Sequence, residues 1–464
     1  MRTGAAVAND LLAGDFRLDA SYHASPGQLA IKQLILSGRT LERLDKVCLP
    51  GGIFIPGRFK RIFVEDLKHG APYLTGGSIM QAEPLQGAKL LSYRYTANMD
   101  RLALRQKMIL ITCSGEIGNA VYVNDTFQGA VGSPDLIRIL ADPEKIPSGY
   151  LYAYLSSSQA RALIQQKTYG AVIPHIEAHH IVDLPIPRLD PSQEERIHQM
   201  IEQAAELRVD ANQRLRQTQD RFYRQVLGID PSEIKWRCRN EHAFAVGTSR
   251  YSNNNHRLDG FHHVGFVGEA EQYLGKTIEL GELIEPYQPP LFKRPYTGEN
   301  GIPFLSGIDL YDYYPKPHMY ISGKLPGIDA YKVVAGTILV QRVGQRYGLF
   351  GRPTILPKHL DQATVTEHLF RLYPKIKNDQ GFVFIWLASE IGRRLLLKGS
   401  FGTSMGVLAY DSFRKMPAPY CSTELRHSFE TDLQSICEMR DRANELEDQT
   451  QTLLRDSLGL ERVN

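Results

Sequence analysis

Residues 192–230 read SQEERIHQMIEQAAELRVDANQRLRQTQDRFYRQVLGID. No Pro interrupts the run, and Ile197, Ile201, Ala204, Ala211, Leu215 and Phe222 recur at steps of three, four and seven. Those steps put them on one stripe of a long helix with coiled-coil character. A stripe of that length needs an apolar partner. Residues 422–460, STELRHSFETDLQSICEMRDRANELEDQTQTLLRDSLGL, provide one: the stretch also opens on Ser and also runs out in Leu-Gly. Its stripe is Phe429, Leu433, Ile436, Ala443, Thr450 and Leu454, and adding 232 to Ala204, Arg208 and Ala211 gives Ile436, Arg440 and Ala443. The chain therefore reads as a tandem repeat. Arg208 and Arg440, at matching stripe positions, read as polar residues of the helix interface.

Outward from these helices the same order recurs. Before the first, a short helical pattern spans 26–36 and a Gly- and Pro-broken stretch (LPGGIFIPGRFKRIFVEDL) suits short strands and tight turns. Residues 107–112 (KMILIT) predict a buried strand, followed by the turn Ser114-Gly115-Glu116-Ile117-Gly118 and a strand over 120–123. Residues 149–166 (GYLYAYLSSSQARALIQQ) have the spacing of a packed helix. In the second half Arg257-Leu258-Asp259 matches Arg17-Leu18-Asp19, Thr337-Ile338-Leu339-Val340 matches Met108 to Ile111, and 381–397 (GFVFIWLASEIGRRLLL) matches the helix at 149. Phe401-Gly402 answers Tyr169-Gly170, and Met416-Pro417-Ala418-Pro419 answers Leu184-Pro185-Ile186-Pro187. Small drifts in offset mark insertions in loops.

Composition bounds the function without choosing it. At 464 residues the chain exceeds one ordinary core, and its 42% hydrophobic and 23% charged residues are those of a globular protein. A net charge of +3 and a pI near 8.4 permit nucleic acid, provided Lys and Arg cluster locally. Cys48, Cys113, Cys238, Cys421 and Cys437 are odd in number and scattered, which fits a reducing compartment. With no run of eighteen apolar residues and an N-terminal stretch broken by Asn9 and Asp10, the expectation is a cytoplasmic protein without membrane spans.

Catalytic signatures are lacking. Gln288-Pro289-Pro290-Leu291 has neither the polar first residue nor the aromatic last residue of an amino-methyltransferase tetrad, and no Gly-rich loop precedes it to hold a nucleoside cofactor. Glu233-Ile234-Lys235 resembles the tail of a nuclease motif, but Asp230 is too near to share a metal from a separate strand. His175, His179 and His180 with Glu177 could ligate a metal; the competing reading is a surface or DNA-facing loop, and no metal site is expected.

With the repeat laid out, SGEIGNAVYV, GAVGSPDLIRI and GYLYAYLSSSQARALIQQKTYGAVIPHIEAHHIVDLPIPRLDPSQEERI resemble the target-recognition domain and following helix of the DNA-specificity subunit of type I restriction-modification systems, and the duplicated layout extends the likeness over essentially the whole chain. The resemblance implies an α+β fold of two pseudo-repeated mixed α/β target-recognition domains (1–190 and 241–420) separated by two long antiparallel coiled-coil helices (in 191–240 with its linker, and 421–464). It also implies a non-catalytic subunit that reads a split double-stranded DNA sequence and docks DNA adenine methyltransferase subunits, expected to be two, together with a restriction or translocase subunit where the system has one. S-adenosylmethionine is expected on the methyltransferase and no cofactor on this chain. The second half departs from the pattern: Gly402-Thr403-Ser404-Met405-Gly406 stands for Gly170-Ala171-Val172-Ile173-Pro174, and Val343-Gly344-Gln345-Arg346-Tyr347 replaces the Ser114–Gly118 turn. A helix of about 37 residues spans roughly 55 Å, enough to hold two readers more than one DNA turn, roughly 34 Å, apart.

Base reading needs Arg, Lys, Asn or Gln in a groove, and phosphate contacts need basic or hydroxyl groups around it. The candidates are Arg58, Lys60 and Arg61 in the first domain, and Lys293, Arg294, Tyr296, Arg342, Gln345, Arg346 and Tyr347 in the second. Each cluster could equally be a solvated charge run. Tyr169 and Phe401 either approach DNA or pack at the domain base. The rival reading of the whole chain is an interaction scaffold of a phage-defence complex that does not read sequence.

Overall fold

The structure is a computed structural model that describes residues 25–168, 174–236, 257, 260–346, 348–402 and 405–459. Arg17-Leu18-Asp19, Tyr169, Gly170, Cys238, Leu258, Asp259, Tyr347, Thr403 and Ser404 lie outside the described residues. The fold is mixed α/β with long helices, and its contacts divide it into Met1–Val209 with Arg442–Asn464, and Asp210–Asp441. Among the described residues no helix is long and apolar enough to cross a membrane.

In the first unit the strands are β1 (Leu41–Arg43), β2 (Cys48–Phe54), β3 (Phe63–Val64), β4 (Gly70–Leu74), β5 (Lys89–Ser92), β6 (Ile109–Thr112), β7 (Ala120–Tyr122), β8 (Val131–Gly132), β9 (Leu136–Ala141) and β10 (Pro185–Pro187). They form one antiparallel sheet in the order β2-β9-β6-β7 and a second in the order β3-β5-β4-β8, with β4 and β8 parallel. The strand expected over 107–112 forms over Ile109–Thr112, inside its sheet and buried at every residue, as a run of β-branched and Leu side chains requires when both faces are covered. The Pro-Gly-Gly of β2 bulges between Cys48 and Ile53, with Gly51 in the left-handed region at φ 67°.

The second unit carries β11 (Thr277–Glu279), β12 (Ile284–Tyr287), β13 (Tyr296–Thr297), β14 (Ile302–Leu305), β15 (Met319–Ile321), β16 (Lys332–Val333), β17 (Ile338–Gln341), β18 (Val343–Gly344), β19 (Pro353–Ile355), β20 (Ala363–Val365), β21 (Leu369–Pro374), β22 (Ser400–Phe401), β23 (Gly406–Leu408) and β24 (Pro417–Pro419). Its sheets run β12-β21-β17-β19 and β13-β15-β14-β20-β16, with β14 and β20 parallel. Read strand by strand, the first order is that of β2-β9-β6-β7, and the second is that of β3-β5-β4-β8 with β16 added. Both units also close their Pro-x-Pro segment as a short strand, β10 on β1 and β24 on β11. A three-stranded sheet β18-β23-β22 occupies the place that the isolated Ser114–His175 bridge holds in the first unit.

The helices expected at 149–166 and 381–397 are each two helices. In the first unit α1 (Pro26–Leu36) precedes α2 (Ser148–Leu155) and α3 (Ser158–Gln166); in the second, α4 (Gln380–Ala388) precedes α5 (Glu390–Lys398). The break has the same cause twice. Ser157 and Ser389 are extended, at ψ 156° and 150°, and their hydroxyls accept the N–H of Ala160 and Gly392, which caps the following helix.

An arginine on the same strand of each unit also escaped sequence reading. Arg138 on β9 and Arg371 on β21 are 0% and 1% exposed. Arg138 donates to the carbonyls of Leu102, Gly132, Ser133 and Leu136, and Arg371 to those of Ala330, Tyr331 and Lys332. Burial lowers the Arg138 guanidinium to about 10. Each guanidinium ties a central strand to the neighbouring loops through main-chain acceptors.

The central helix runs Pro191–Phe222, continues through a π-helical turn at Tyr223–Leu227 and stops at Gly228, left-handed at φ 69°. The C-terminal helix runs Thr423–Leu458 and meets Gly459 at φ 59°. Both expected stripes are buried. In the first unit Ile197, Ile201 and Leu454 join the domain core, and Ala204 packs with Ala443 and Leu446. In the second, Phe222 lies 5.6 Å from Phe382, 6.0 Å from Trp386 and 5.6 Å from Phe429, ring to ring.

Polar pairs cross between the helices at repeat-related positions. Arg208 donates to Asn444 at 3.3 Å in the first unit, and Arg440 donates to Asn212 at 3.1 Å in the second; Arg440 and Asn444 stand 232 residues after Arg208 and Asn212. Arg208 also pairs with Glu447 at 2.6 Å, where Tyr152 donates at 3.3 Å. The helix also holds each domain at matching points. His198 Nδ1 accepts the Gly149 N–H at 3.1 Å, and Glu430 accepts the Gly381 N–H at 2.7 Å.

Candidate nucleic-acid interface

The loop between β2 and β3 and the loop between β12 and β13 contain the same tripeptide, Phe59-Lys60-Arg61 and Phe292-Lys293-Arg294, each followed two residues later by an aromatic, Phe63 or Tyr296. The offset is 233. The aromatics anchor the loops: Phe59 and Phe63 meet Tyr73 edge-on at 6.5 and 5.8 Å, while Phe292 and Tyr296 meet Phe304 at 6.3 and 6.4 Å. With the Phe turned into the sheet, the next side chain is turned out. Lys60 and Lys293 are exposed, as are Arg58 and Arg61, and none of these four forms an ion pair or hydrogen bond with any described residue.

Arg294 has a different environment from Arg61. Its Nη2 donates to both carboxylate oxygens of Glu367, at 2.7 and 2.5 Å, and its guanidinium lies 5.1 Å from the Phe304 ring. Burial, the largest single influence, would raise the Glu367 carboxyl, but the Arg294 hydrogen bond, a main-chain N–H and the charges of Arg294 and His368 together hold it below its ordinary value. In the first unit Pro134 stands at the corresponding place: Ser133 N donates to Leu74 as Thr366 N donates to Leu305. Arg61 is left to solvent, and Arg294 is a half-buried clamp.

Of the second cluster, Arg342 alone among the described residues bonds the same turn, and through its main chain. The Arg342 N–H donates to the His368 carbonyl, beside Glu367, and the Arg342 guanidinium lies 5.4 Å from the Phe370 ring. Gln345 is exposed. Arg346 donates to Ser400 Oγ at 3.0 Å and to the Gly402 carbonyl at 2.6 Å, and lies 4.2 Å from the Phe261 ring, so it fastens the 400–402 segment. Phe401 is 45% exposed on β22, so it is not packed away at the domain base. Tyr296 is half-exposed and Tyr347 lies outside the described residues.

Near the Ser114 turn, His180 Nδ1 accepts the Glu177 N–H at 3.0 Å and the His179 and His180 rings stand 3.9 Å apart. Burial, and then His179, lower the His180 imidazole. Among the described residues no group of three or more His, Cys, Asp or Glu side chains gathers to hold a metal.

The two loops therefore offer cations of two kinds. Alanine at Lys60, Arg61 or Lys293 is expected to leave melting within about 0.5 kcal/mol of wild type, as for exposed side chains free of such partners. Alanine at Arg294 strands Glu367 and is expected to destabilise the second unit. Denaturant unfolding of the five single variants, Arg346→Ala included, checks the distinction.

No family model matches the chain, and no curated protein matches it by sequence. Solved structures do. The S subunit of the type I restriction-modification system from M. genitalium matches at TM-score 0.35 and 16% identity, over 90% of this chain and 94% of that one. The HsdS subunit from Thermoanaerobacter tengcongensis matches at 0.28 and 15%, over 91% and 96%. A chain from a structure on complex assembly and conformational transition of the type I R-M system matches at 0.27 and 15%, over 90% and 97%. At these identities no residue's role is transferred from them.

Proposed function

We propose that the chain is a non-catalytic DNA-recognition subunit in which each unit reads one half of a bipartite duplex target, with the two long helices as spacer, and that it positions adenine methyltransferase subunits there. The methyltransferase carries the S-adenosylmethionine, and a restriction or translocase subunit joins where the system has one. The observation that supports this reading is the repeated Phe-Lys-Arg loop. Two units of the same strand order put a lysine without a partner among the described residues at the same place, anchored by the same two aromatic contacts. Lysine held out by a rigid loop suits phosphate contact, which fixes register, while the differing neighbours, Arg61 against the Glu367-bound Arg294, suit two different half-sites.

Competition binding over a pool of random duplexes, with the methyltransferase partner present, tests it. The expected result is enrichment of one split sequence; an unenriched pool contradicts it. Removing one phosphate-contacting lysine is expected to reduce the salt slope of binding by about 1 whatever the sequence. A scaffold that does not read DNA keeps its assembly and the activity of its complex when Lys60, Arg61 and Lys293 are changed to Glu.

A further inference from the structure

After β5, the chain of the first unit makes a turn whose three successive residues, Tyr93, Arg94 and Tyr95, are all exposed. Tyr93 and Tyr95 are 50% and 57% exposed, yet the residues on either side, Ser92 and Thr96, are 2% and 6% exposed. A surface strand alternates in and out; three consecutive outward side chains between two buried anchors make a projecting tip. Arg94 lies 5.3 Å from the Tyr95 ring and forms no ion pair or hydrogen bond with any described residue. The tip stands beside the cationic loop, because the Ser92 N–H donates to the Ile62 carbonyl at 2.9 Å, one residue after Arg61.

The second unit has the same junction with different contents. The Ser322 N–H donates to the Pro295 carbonyl at 2.9 Å, one residue after Arg294, and the residues that follow are Gly323 and Lys324. One unit thus adds two aromatic faces and a cation to its loop, and the other adds a cation alone.

From this juxtaposition, and resting on the DNA-recognition reading above, we infer that Tyr93-Arg94-Tyr95 is a second DNA-contacting element of the first unit. The tyrosine faces pack on the sugar and base edges of duplex DNA while Arg94, beside Lys60 and Arg61, meets the phosphates. Apolar contact of a tyrosine ring with sugars and base edges displaces no counterion and is not lost to salt, whereas each phosphate contact is. The two units therefore grip DNA by different chemistry.

The test is fluorescence anisotropy of a labelled mixed-sequence duplex with the full-length chain and its methyltransferase partner, over about 50 to 200 mM salt. Tyr93→Ala with Tyr95→Ala is expected to weaken binding about tenfold or more, by the same factor at every salt concentration. Tyr93→Phe with Tyr95→Phe keeps the rings and most of the affinity. Arg94→Ala flattens the salt slope by about 1. The inference is overturned if the alanine pair binds as wild type while Lys60→Ala loses affinity, if its defect disappears at high salt, or if it loses the methyltransferase partner and keeps DNA. If the wild-type complex binds no duplex at any salt, the DNA-recognition reading falls and this one with it.

Discussion

Gly381→Ala is expected to cost about 3 kcal/mol or more, the upper end of what overpacking a filled interior does. A Cβ at this position would stand 2.3 Å from the Phe429 carbonyl oxygen and 2.6 Å from Glu430 N, both main-chain atoms of the C-terminal helix that cannot turn aside. The substitution also pushes apart the Gly381 N–H and the Glu430 carboxylate, bonded at 2.7 Å. For a unit of this size such a loss lowers the melting temperature by roughly 6–12 °C. Gly149→Ala acts in the same direction in the first unit, where the new Cβ meets His198 Nδ1 at 2.6 Å and His198 O at 2.9 Å. A side-chain nitrogen can shift, so its cost is expected to be the smaller of the two. Calorimetry of both variants checks the order; an unchanged melting profile for Gly381→Ala would contradict the packing described.

Arg426→Ala is the second large effect, expected at about 3 kcal/mol because it takes the guanidinium from a buried carboxylate and leaves only the His427 imidazole, 3.5 Å away. Asp379 is fully buried and takes the Arg426 Nε–H at 3.0 Å. The pair links the first turn of the C-terminal helix to the start of α4. In the first unit Glu194, 232 residues before Arg426, is instead gripped by Arg188, just ahead of its own helix, through two bonds of 2.8 Å. Replacing Asp379 and Arg426 together by leucines is expected to cost much less than Arg426→Ala alone, since the penalty of a desolvated charge goes with the charge. Urea unfolding of the single and double variants measures the difference. Equal losses would mean that packing, and not the ion pair, holds this junction.

Much of the framework was legible because it is periodic. Stripes at three, four and seven, stops at Leu-Gly and the apolar run within 107–112 are local signals, and the helices, their left-handed glycines and β6 follow them. The breaks at Ser157 and Ser389 were hidden because the apolar spacing resumes beyond each short polar step and only a serine's extended backbone divides the helices. At the site, the sequence showed which loops carry cations but not which cations are spoken for. The carboxylate that claims Arg294 is 73 residues away, and the carbonyl that claims Arg346 is 56 away. The matching Phe-Lys-Arg loops could have been found by sequence alone, at an offset of 233 where the helices repeat at 232. The buried Arg138 and Arg371 could not, since their acceptors are main-chain carbonyls that no residue type announces.

Sequencing the methylated adenines of host DNA with and without this chain bears most directly on whether two reading units select one split target. The account predicts that a single bipartite motif loses its methylation when the chain is absent and regains it when the chain is restored. An unchanged set of methylated sites, with the methyltransferase partner present and the chain folded, would contradict it.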